Sequence, residues 1–437
     1  MLFQPEIETM APAQRAAQQG VRLADLVARL RASGSPFWEA RLAGVGDVAR
    51  VEDLGDLPFT VREDLRDSYP FGMLAVPPEQ TVRIHASSGT RGKPTIVSYT
   101  ADDVAVFAEV NARAIACAGG TPADIVQVAY GYGLFTGGLG LHYGVEALGA
   151  TAVPASGGNP LLQLQLLDDL GVSGLCCTPS FALLLAERAR PAGYTDLGVR
   201  YGVLGAEPWS DAFRGKVIEA WSAVTGRQFD ACDIYGLSEV IGPGVAMECR
   251  EGPGALHIFS DHFLPEVVDP ATGDPLPPGE QGELVLTTLT KQAQPVLRYR
   301  TGDLTRLVEE PCPCGRTFPR MARITGRVDD MLVIRGINVF PREIEAVVLD
   351  DQALSGQYAI IVDRRSTLPE LEVRVELARP GSEQDRSTVG ERLAERLLAR
   401  LRLRVVVAVG EPGAVPRTEG GKAVRVFSRT SDDDPIL

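Results

Sequence analysis

The chain has 437 residues, of which 45% are hydrophobic and 23% are charged, and its formal net charge is -14. This length exceeds the roughly 250–300 residues that one hydrophobic core supports, which predicts at least two domains. The acidic balance argues against sequence-independent binding to nucleic acid and against docking on anionic membranes, because both need a basic face. The first residues show no signal peptide, no segment is apolar enough to span a membrane, and seven cysteines without an export signal predict a cytoplasmic protein free of disulfides.

Apolar spacing in the first half of the chain predicts helices that alternate with buried strands. The predicted helices are residues 11–31, 161–170 and 181–189, and the predicted strands are 125–129, 150–154 and 202–205. This alternation is typical of an α/β architecture with parallel strands. We therefore predict a large, multi-layer N-terminal domain with mostly parallel sheets.

The pattern of predicted elements changes twice in the second half of the chain. From about residue 255, short strands separated by proline and glycine predict a β-rich subdomain, and the predicted strands are 256–259, 266–268 and 283–288. The tail predicts strands at 358–362, 371–377 and 404–409 and an amphipathic helix at 387–402, which is enough for a small α+β domain of about 100 residues. The predicted domains are residues 1–328 and 329–437.

The most informative segment is Ser87-Ser88-Gly89-Thr90-Arg91-Gly92-Lys93-Pro94-Thr95. Glycines let backbone N–H groups turn toward an anion, hydroxyls add donors and the lysine adds charge, so the segment suits a polyphosphate. It is not a Walker A loop, because a proline follows the lysine where that loop needs a helical Ser or Thr. The alternative interpretation is a glycine- and serine-rich hairpin loop without a ligand.

Five further segments follow in order. They are Tyr130-Gly131-Tyr132-Gly133-Leu134-Phe135-Thr136-Gly137-Gly138, Gly205-Ala206-Glu207-Pro208, Tyr235-Gly236-Leu237-Ser238-Glu239, Arg298-Tyr299-Arg300-Thr301-Gly302-Asp303 and Gly420-Gly421-Lys422. Together with the segment from Asp329 to Pro341, they resemble the adenylate-forming superfamily of acyl-CoA synthetases, luciferase-like enzymes and adenylation domains. More closely, the chain resembles the phenylacetate–CoA ligase family, from about residue 50 to about residue 430.

The resemblance implies a reaction in two steps. A carboxylate attacks the α-phosphorus of ATP and releases pyrophosphate, and a thiol then displaces AMP from the acyl-adenylate. The implied small molecules are ATP, Mg²⁺, coenzyme A and an aromatic acid, handled by a cytoplasmic monomer or homodimer. The C-terminal domain would be mobile and would change its pose between the two steps, with Asp329 as the hinge residue.

The resemblance also implies roles for individual residues. Glu239 would bind Mg²⁺, a hard cation that prefers carboxylate oxygen, and Lys422 would bridge the substrate carboxylate and the phosphate as a compact ammonium group. Asp303 would accept hydrogen bonds from the ribose hydroxyls. The implied ATP-binding residues are Ser87, Ser88, Gly89, Thr90, Gly92 and Lys93 at the phosphates, Gly205, Ala206, Glu207 and Pro208 at the adenine, and Tyr235, Gly236, Asp303 and Arg327. Taken singly, each of these side chains could also be an ordinary solvated loop residue.

The acyl pocket is expected to combine flat aromatic faces with small residues. Its predicted residues are Tyr132, Phe135, Thr136, Gly137, Ala206 and Leu237. Aromatic faces suit an aromatic ring, and small residues leave room for it, so an aryl or arylacetic acid is favoured over a long fatty acid. One methylene changes binding by only about 1–3 kcal/mol, so the sequence leaves benzoate and phenylacetate open.

Three cysteines and a histidine form a candidate structural zinc site. Cys249, His257, Cys312 and Cys314 supply four ligands, which would close a tetrahedral site without an open position for chemistry. The Cys-x-Cys spacing is tighter than usual, but some relatives of the family carry zinc on such cysteines. His262 could replace His257, and the alternative to a metal site is a set of small buried hydrophobic residues.

Two departures from the family pattern leave other functions open. Arg91 stands where many relatives have a small hydroxyl residue, and Gly420-Gly421-Lys422 carries an extra glycine. The second hypothesis is therefore a free-standing aryl-AMP ligase that loads the pantetheine thiol of a carrier protein. A third, of a different class, is a non-catalytic ligand-binding or regulatory protein on the same scaffold.

Overall fold

The computed structural model of the chain describes residues 1–87, 94–328, 332–335, 337–365, 369–415, 425–429 and 431. The chain divides into two compact units, Met1–Ala206 with Ile218–Ile324 and Glu207–Val217 with Thr325–Leu437. The predicted domain boundary between residues 328 and 329 stays a prediction. Within the described ranges, no helix is both long and apolar enough to cross a membrane.

The helices follow the chain in this order. They are α1 (Pro5–Glu8), α2 (Pro12–Ala32), α3 (Pro36–Arg41), α4 (Arg62–Asp67), α5 (Ala101–Cys117), α6 (Gly137–Leu148), α7 (Pro160–Asp169), α8 (Pro179–Ala189), α9 (Asp211–Thr225), α10 (Pro341–Leu349) and α11 (Glu383–Leu401), with 3₁₀ helices at Val51–Asp56 and Pro78–Gln80. The helices predicted at 11–31, 161–170, 181–189 and 387–402 correspond to α2, α7, α8 and α11.

The strands are shorter and more numerous. They are β1 (Arg83–Ser87), β2 (Thr95–Tyr99), β3 (Ile125–Val128), β4 (Thr151–Val153), β5 (Gly174–Cys177), β6 (Tyr201–Gly205), β7 (Asp230–Tyr235), β8 (Ala246–Glu248), β9 (Ala255–Ile258), β10 (Phe263–Val268), β11 (Gly282–Thr288), β12 (Tyr299–Thr305), β13 (Leu307–Val308), β14 (Arg320–Ala322), β15 (Gly326–Arg327), β16 (Leu332–Ile334), β17 (Ile337–Val339), β18 (Leu354–Asp363), β19 (Glu370–Leu377), β20 (Val406–Gly410) and β21 (Val426–Arg429).

A nine-stranded sheet forms the centre of the first unit. Its order is β13-β14-β9-β8-β7-β6-β5-β3-β4, and β4, β3, β5, β6 and β7 pair in parallel while the other neighbours are antiparallel. The central parallel strands β5 and β6 are buried along their whole length, as expected for strands covered on both faces. The predicted α/β fold class is confirmed.

The β-rich part of the sequence contributes to two sheets. β9 joins the antiparallel half of the nine-stranded sheet, whereas β10, β11 and β12 pair antiparallel in a sheet of their own. β1 and β2 form a separate antiparallel hairpin, with Ser87 opposite Thr95 at the end next to the connecting loop. This hairpin leads into and out of the predicted phosphate loop, and residues 88–93 of that loop lie outside the described residues.

The second unit contains a smaller mixed sheet. Its order is β20-β19-β18-β21, with an antiparallel centre and parallel outer pairs, and β16 and β17 form a hairpin. The amphipathic helix α11 buries Val389, Leu393, Leu397 and Leu401, which are four residues apart and so lie on one face. Ser382 caps α11 by accepting a hydrogen bond from the Asp385 amide at 3.2 Å.

Helices α5 and α6 approach each other closely because glycines of α6 face α5. A Cβ atom on Gly140 would lie 2.3 Å from Cζ of Phe107, and one on Gly144 would lie 2.4 Å from Cβ of Asn111. The second contact is the less forgiving, since Cβ of Asn111 is attached directly to the helix backbone. Neither helix was predicted from the sequence, because residues 110–117 of α5 are buried on all sides and show no amphipathic period.

We predict that Gly144→Ala destabilises the first unit. The added methyl group overlaps Asn111 and forces the two helices apart, which should lower the free energy of unfolding by about 1–3 kcal/mol. Gly157→Ala is the control, since a Cβ atom there meets nothing within 4 Å. Urea unfolding followed by tryptophan fluorescence measures both variants, and equal midpoints for the two would contradict the close packing of α5 on α6.

Candidate functional site

The carboxyl ends of three parallel strands are joined by one buried hydroxyl group. Tyr130 follows β3, and its hydroxyl donates a hydrogen bond to the carbonyl of Cys177 (2.6 Å) and accepts one from the amide of Gly205 (3.0 Å). These residues end β5 and β6. Ligands of open α/β sheets bind outside the carboxyl ends of the strands, and most of the predicted site residues of the first unit lie at or near this edge.

Residues Gly205 and Ala206 leave little space around the end of β6. A Cβ atom on Gly205 would lie 2.4 Å from the carbonyl oxygen of Ile234 in β7, so only glycine fits. Ala206 is exposed and has φ +68°, a left-handed conformation that is unusual for a residue with a side chain. Such an outlier at a candidate site favours a functional reason for the backbone shape. The next predicted adenine residues, Glu207 and Pro208, belong to the second unit, as does Arg327.

Tyr235 and Asp303 meet although they are far apart in sequence. The hydroxyl of Tyr235, at the end of β7, donates a hydrogen bond to Oδ2 of Asp303 in β12 at 2.6 Å. Asp303 is 7% exposed, and its own amide donates to Oγ1 of Thr301. Gly236 must be small, because its Cβ atom would lie 2.9 Å from Cα of Pro243. The tyrosine therefore holds the carboxylate in one orientation.

Glu239 is a buried acid with an unsatisfied oxygen. Its side chain is 4% exposed, and its Oε1 atom makes no hydrogen bond with any part of the chain that the structure describes. Nε of Arg62 lies 3.7 Å from the same oxygen. Buried carboxylate oxygens normally have partners, so an orphaned one fits a cation ligand, as the sequence predicted for Mg²⁺.

The aromatic motif continues the site along β3 and α6. The hydroxyl of Tyr132 lies 3.3 Å from Nδ1 of His142, whose Nε2 lies 3.2 Å from Oε1 of Glu146. Burial raises the pKa of the Tyr132 phenol, which therefore stays protonated at neutral pH. Phe135 is 37% exposed.

One contact connects the predicted acyl residues with another segment of the site, and a second lies among the acyl residues themselves. Oγ1 of Thr136 lies 3.3 Å from Oγ of Ser238, which places the motif beside the segment that carries Leu237 and Glu239. A Cβ atom on Gly137 would lie 2.8 Å from Cε1 of Phe135, so a larger residue at position 137 would clash with the phenyl ring of Phe135.

The β1–β2 hairpin is attached to the same motif. The carbonyl of Leu134 accepts a hydrogen bond from the amide of Ala86 and lies 3.0 Å from Nδ1 of His85. The strand before the predicted phosphate loop thus contacts Leu134, which lies between the predicted acyl residues Tyr132 and Phe135 in the sequence. Ser88, Gly89, Thr90, Gly92 and Lys93 lie outside the described residues, as do Arg91, Asp329 and Lys422, and their predicted roles stay predictions.

Sequence analysis did not single out Lys291. Its Nζ donates hydrogen bonds to the carbonyls of Glu239 (3.1 Å) and Val240 (2.9 Å), and the side chain is fully buried. Burial lowers the pKa of this ammonium group to about 8, against the opposing effect of the Asp103 and Glu239 charges. The signal that could have identified it is a lone lysine after the apolar strand β11.

The four predicted zinc ligands come together. The ligand atoms of Cys249, His257, Cys312 and Cys314 all lie within 4.8 Å of one another, with Cys249 Sγ 3.4 Å from Cys312 Sγ and Cys314 Sγ 3.4 Å from Nε2 of His257. Two thiolates of a tetrahedral zinc site, each about 2.3 Å from the metal, are roughly 3.8 Å apart, so the set is compact enough to close around one ion. Gly252 has no room for a side chain, because a Cβ atom there would lie 2.5 Å from Sγ of Cys312.

His262, the alternative zinc ligand, lies in a different group. Its Nδ1 is 2.7 Å from Oγ1 of Thr290, and its Nε2 is 3.2 Å from carboxylate oxygens of both Glu109 and Asp261. Arg113, which is fully buried, pairs with both of those acids. The histidine is therefore part of an ion-pair network.

Comparisons with known proteins agree over nearly the whole chain. The family model described as AMP-binding enzyme matches residues 39–289, and the one described as AMP-binding enzyme C-terminal domain matches residues 336–429. A phenylacetate-coenzyme A ligase of Thermus thermophilus is 48% identical, covering 98% of this chain and 99% of the relative, and one of Escherichia coli is 50% identical, covering 87% and 86%. A crystal structure of 2-hydroxyisobutyryl-CoA ligase in the postadenylation state with 2-HIB-AMP has a TM-score of 0.88 at 28% identity and covers 97% of this chain and 91% of that one.

Proposed function

This chain belongs to the AMP-binding enzyme family, and we propose that it joins an aryl or arylacetic acid, phenylacetate above all, to coenzyme A at the expense of ATP. The observation that carries the proposal is the near-complete match to relatives named phenylacetate-coenzyme A ligase, at 46–50% identity over 86–99% of their length. The family predicted from the motifs is confirmed. The enzyme is accordingly an AMP-forming acid–thiol ligase that uses ATP and coenzyme A.

The geometry supports roles for the buried acids in the adenylation step. Asp303, oriented by Tyr235, presents an ionised acceptor suited to the ribose hydroxyls of ATP. Glu239, with its orphaned oxygen, would hold Mg²⁺, which when bound neutralises phosphate charge. The substrate carboxylate forms a bond to the α-phosphorus while the bond from that phosphorus to the departing pyrophosphate breaks.

In the second step, a thiol replaces AMP on the acyl group. The sulfur of coenzyme A attacks the carbonyl carbon of the acyl-adenylate, the carbon–oxygen bond to AMP breaks, and AMP leaves as its phosphate anion. The thiol gives up its proton in the process. Holding the reactants in line, rather than covalent work by a side chain, would account for most of the rate in both steps.

The acyl pocket supports an aromatic acid of moderate size. Tyr132 and Phe135 offer aromatic faces, and Gly137 and Ala206 are small residues that would leave room for an aromatic ring. The Tyr132 hydroxyl lies 3.3 Å from Nδ1 of His142, so a pocket lined by Tyr132 would also present a polar group to the substrate.

We predict that pyrophosphate release is greatest with arylacetic acids. In a panel of phenylacetate, benzoate, 4-hydroxyphenylacetate and octanoate, kcat/KM for phenylacetate should exceed that for benzoate by about 10–200-fold, as expected for one methylene. Coupled pyrophosphate detection measures each acid at saturating ATP. Activity confined to octanoate would contradict the proposed pocket.

The same reaction distinguishes coenzyme A from a carrier protein. Thioester formation should be observed with coenzyme A and not with a holo carrier protein at equal thiol concentration. Thioester on the carrier alone would instead favour the free-standing aryl-AMP ligase, and adenylate without any thioester would contradict both.

A second prediction concerns Lys422, whose role rests on the family resemblance. Lys422→Ala should slow adenylation by about 10²–10³-fold, the loss expected when one donor to developing charge is removed. Thioester formation from supplied phenylacetyl-adenylate and coenzyme A should continue, because that step does not involve the phosphoryl transfer. Lys216→Ala is the matched control, and adenylation that is equally fast in the two variants would remove the assigned role.

We further propose that Cys249, His257, Cys312 and Cys314 hold a structural zinc ion. Three thiolates and one imidazole are the ligands of closed zinc sites, and all four lie in the antiparallel half of the main sheet or in its loops. Four protein ligands leave no position for substrate, so the ion would stabilise the unit without entering the reaction.

This zinc proposal predicts about one zinc ion per chain by elemental analysis of the purified protein. Cys314→Ser should lose the zinc and lower the midpoint of thermal unfolding, whereas Cys117→Ala, which changes a buried cysteine outside the group, should keep it. Retention of zinc by the Cys314 variant, or no zinc in wild-type protein grown with zinc, would contradict the site.

A further inference from the structure

Three successive backbone carbonyls around Glu239 are held by two buried side chains. The hydroxyl of Tyr99 donates to the carbonyl of Ser238 at 3.5 Å, and Nζ of Lys291 donates to those of Glu239 (3.1 Å) and Val240 (2.9 Å). The peptide plane that follows the Glu239 Cα atom is therefore held by Lys291, whereas the plane before it has only the longer contact with Tyr99. The direction in which the Glu239 side chain leaves the backbone depends on these contacts.

Burial of the Lys291 ammonium group carries a large desolvation cost. Lys291 is 1% exposed, and no carboxylate lies within 4.0 Å of its nitrogen in the described ranges of the chain, although the charges of Asp103 and Glu239 act on it from further away. Its nitrogen also lies 4.9 Å from the centroid of the Tyr99 ring, which attracts a cation. Burying an ammonium group costs several kcal/mol unless its surroundings compensate. An apolar side chain of the same length would fill the space, so what the ammonium group adds is its donors to the carbonyls of Glu239 and Val240.

The segment from Thr290 to Gln294, which we call the 290–294 segment, is held rigidly. Asp103, in the first turn of α5, accepts hydrogen bonds from the amides of Gln292 (2.6 Å) and Ala293 (2.9 Å). The side-chain amide of Gln294 accepts from the amide of Ser98 (3.1 Å) and donates to the carbonyl of Ile96 (3.1 Å). Both contacts are with β2, the strand that leaves the predicted phosphate loop. The 290–294 segment thus contacts both β2 and the backbone at Glu239.

Lysine is well suited to bind the two backbone carbonyls at Glu239 and Val240. The chain contains 43 lysines and arginines, but lysine occurs only at positions 93, 216, 291 and 422. A compact ammonium group with three donors can serve two carbonyls and face a ring in a small space, whereas a planar guanidinium group needs more room. At position 291 the rarer of the two cations is almost completely buried.

We propose that Lys291 is a positioning residue for the Glu239 carboxylate, and that it acts by holding the carbonyls of Glu239 and Val240. This inference rests on the proposed function, in which Glu239 binds the magnesium ion of the nucleotide. Lys291 itself touches neither substrate nor metal. Its loss should therefore weaken the use of Mg²⁺ in adenylation and leave the thiol step unchanged.

The test compares Lys291→Met, which keeps the length of the side chain but has no donors, with Lys291→Gln, which keeps an N–H donor. The Mg²⁺ concentration for half-maximal adenylation of phenylacetate should rise about 10–100-fold in Lys291→Met, the loss typical when a group that orients a metal ligand is removed. Lys291→Gln should show a smaller rise. Thioester formation from supplied phenylacetyl-adenylate should stay within about twofold of wild type in both, and Lys216→Met is the matched control with wild-type Mg²⁺ dependence.

Circular dichroism establishes that each variant is folded. An unshifted Mg²⁺ requirement in folded Lys291→Met, or an equal loss in both half-reactions, overturns the proposal. If Lys291→Met does not fold, the Mg²⁺ requirement of Lys291→Gln decides in the same way. If the wild-type protein adenylates no aromatic acid, the proposed function fails. Calorimetric titration of MgATP into the wild type and the variants then still tests Lys291. Equal Mg²⁺-dependent affinities of the wild type and Lys291→Met for ATP would overturn its role.

Discussion

The hydroxyl group of Tyr130 is the contact on which the site most depends. It forms hydrogen bonds with the backbone at the ends of β5 and β6, while its own backbone follows the end of β3. Parallel strands pair through backbone hydrogen bonds without a side chain, and at this edge the Tyr130 hydroxyl adds a further connection between the ends of β5 and β6. A buried phenol with both hydrogen-bonding functions used supplies that connection.

The rest of the site is built from buried polar groups, each held by a second group. Tyr235 orients Asp303, Lys291 holds the carbonyl at Glu239, and Asp103 holds the segment that carries Lys291. Buried polar groups destabilise a fold unless they are satisfied, so such an arrangement is retained where orientation matters. In phosphoryl transfer, charges and dipoles that are already in position stabilise the transition state most effectively, because they need no reorganisation during the reaction.

The main sheet separates the two kinds of site. Among the described residues of the first unit, those proposed to act on substrates lie mostly at the ends of its parallel strands or close to them. The three clustered cysteines and His257 lie along β8, β9 and the loop before β14 in the antiparallel half. Antiparallel strands place sequence-distant residues directly side by side, which suits a closed cluster of four ligands. Parallel strands open toward one edge, which suits a ligand that must enter and leave.

The sequence by itself determined the family, the reaction class, the α/β fold class and the set of candidate ligands. This was feasible because the motifs are contiguous strings, such as Tyr235 to Glu239, and because buried strands and amphipathic helices leave local periods. Only the tertiary structure decided which residues meet. The pairing of Tyr235 with Asp303, the position of His257 beside Cys312 and Cys314, and the contact of Lys291 with Glu239 all join segments that are 50 or more residues apart. Such contacts depend on strand order and register, which no local pattern in the chain encodes.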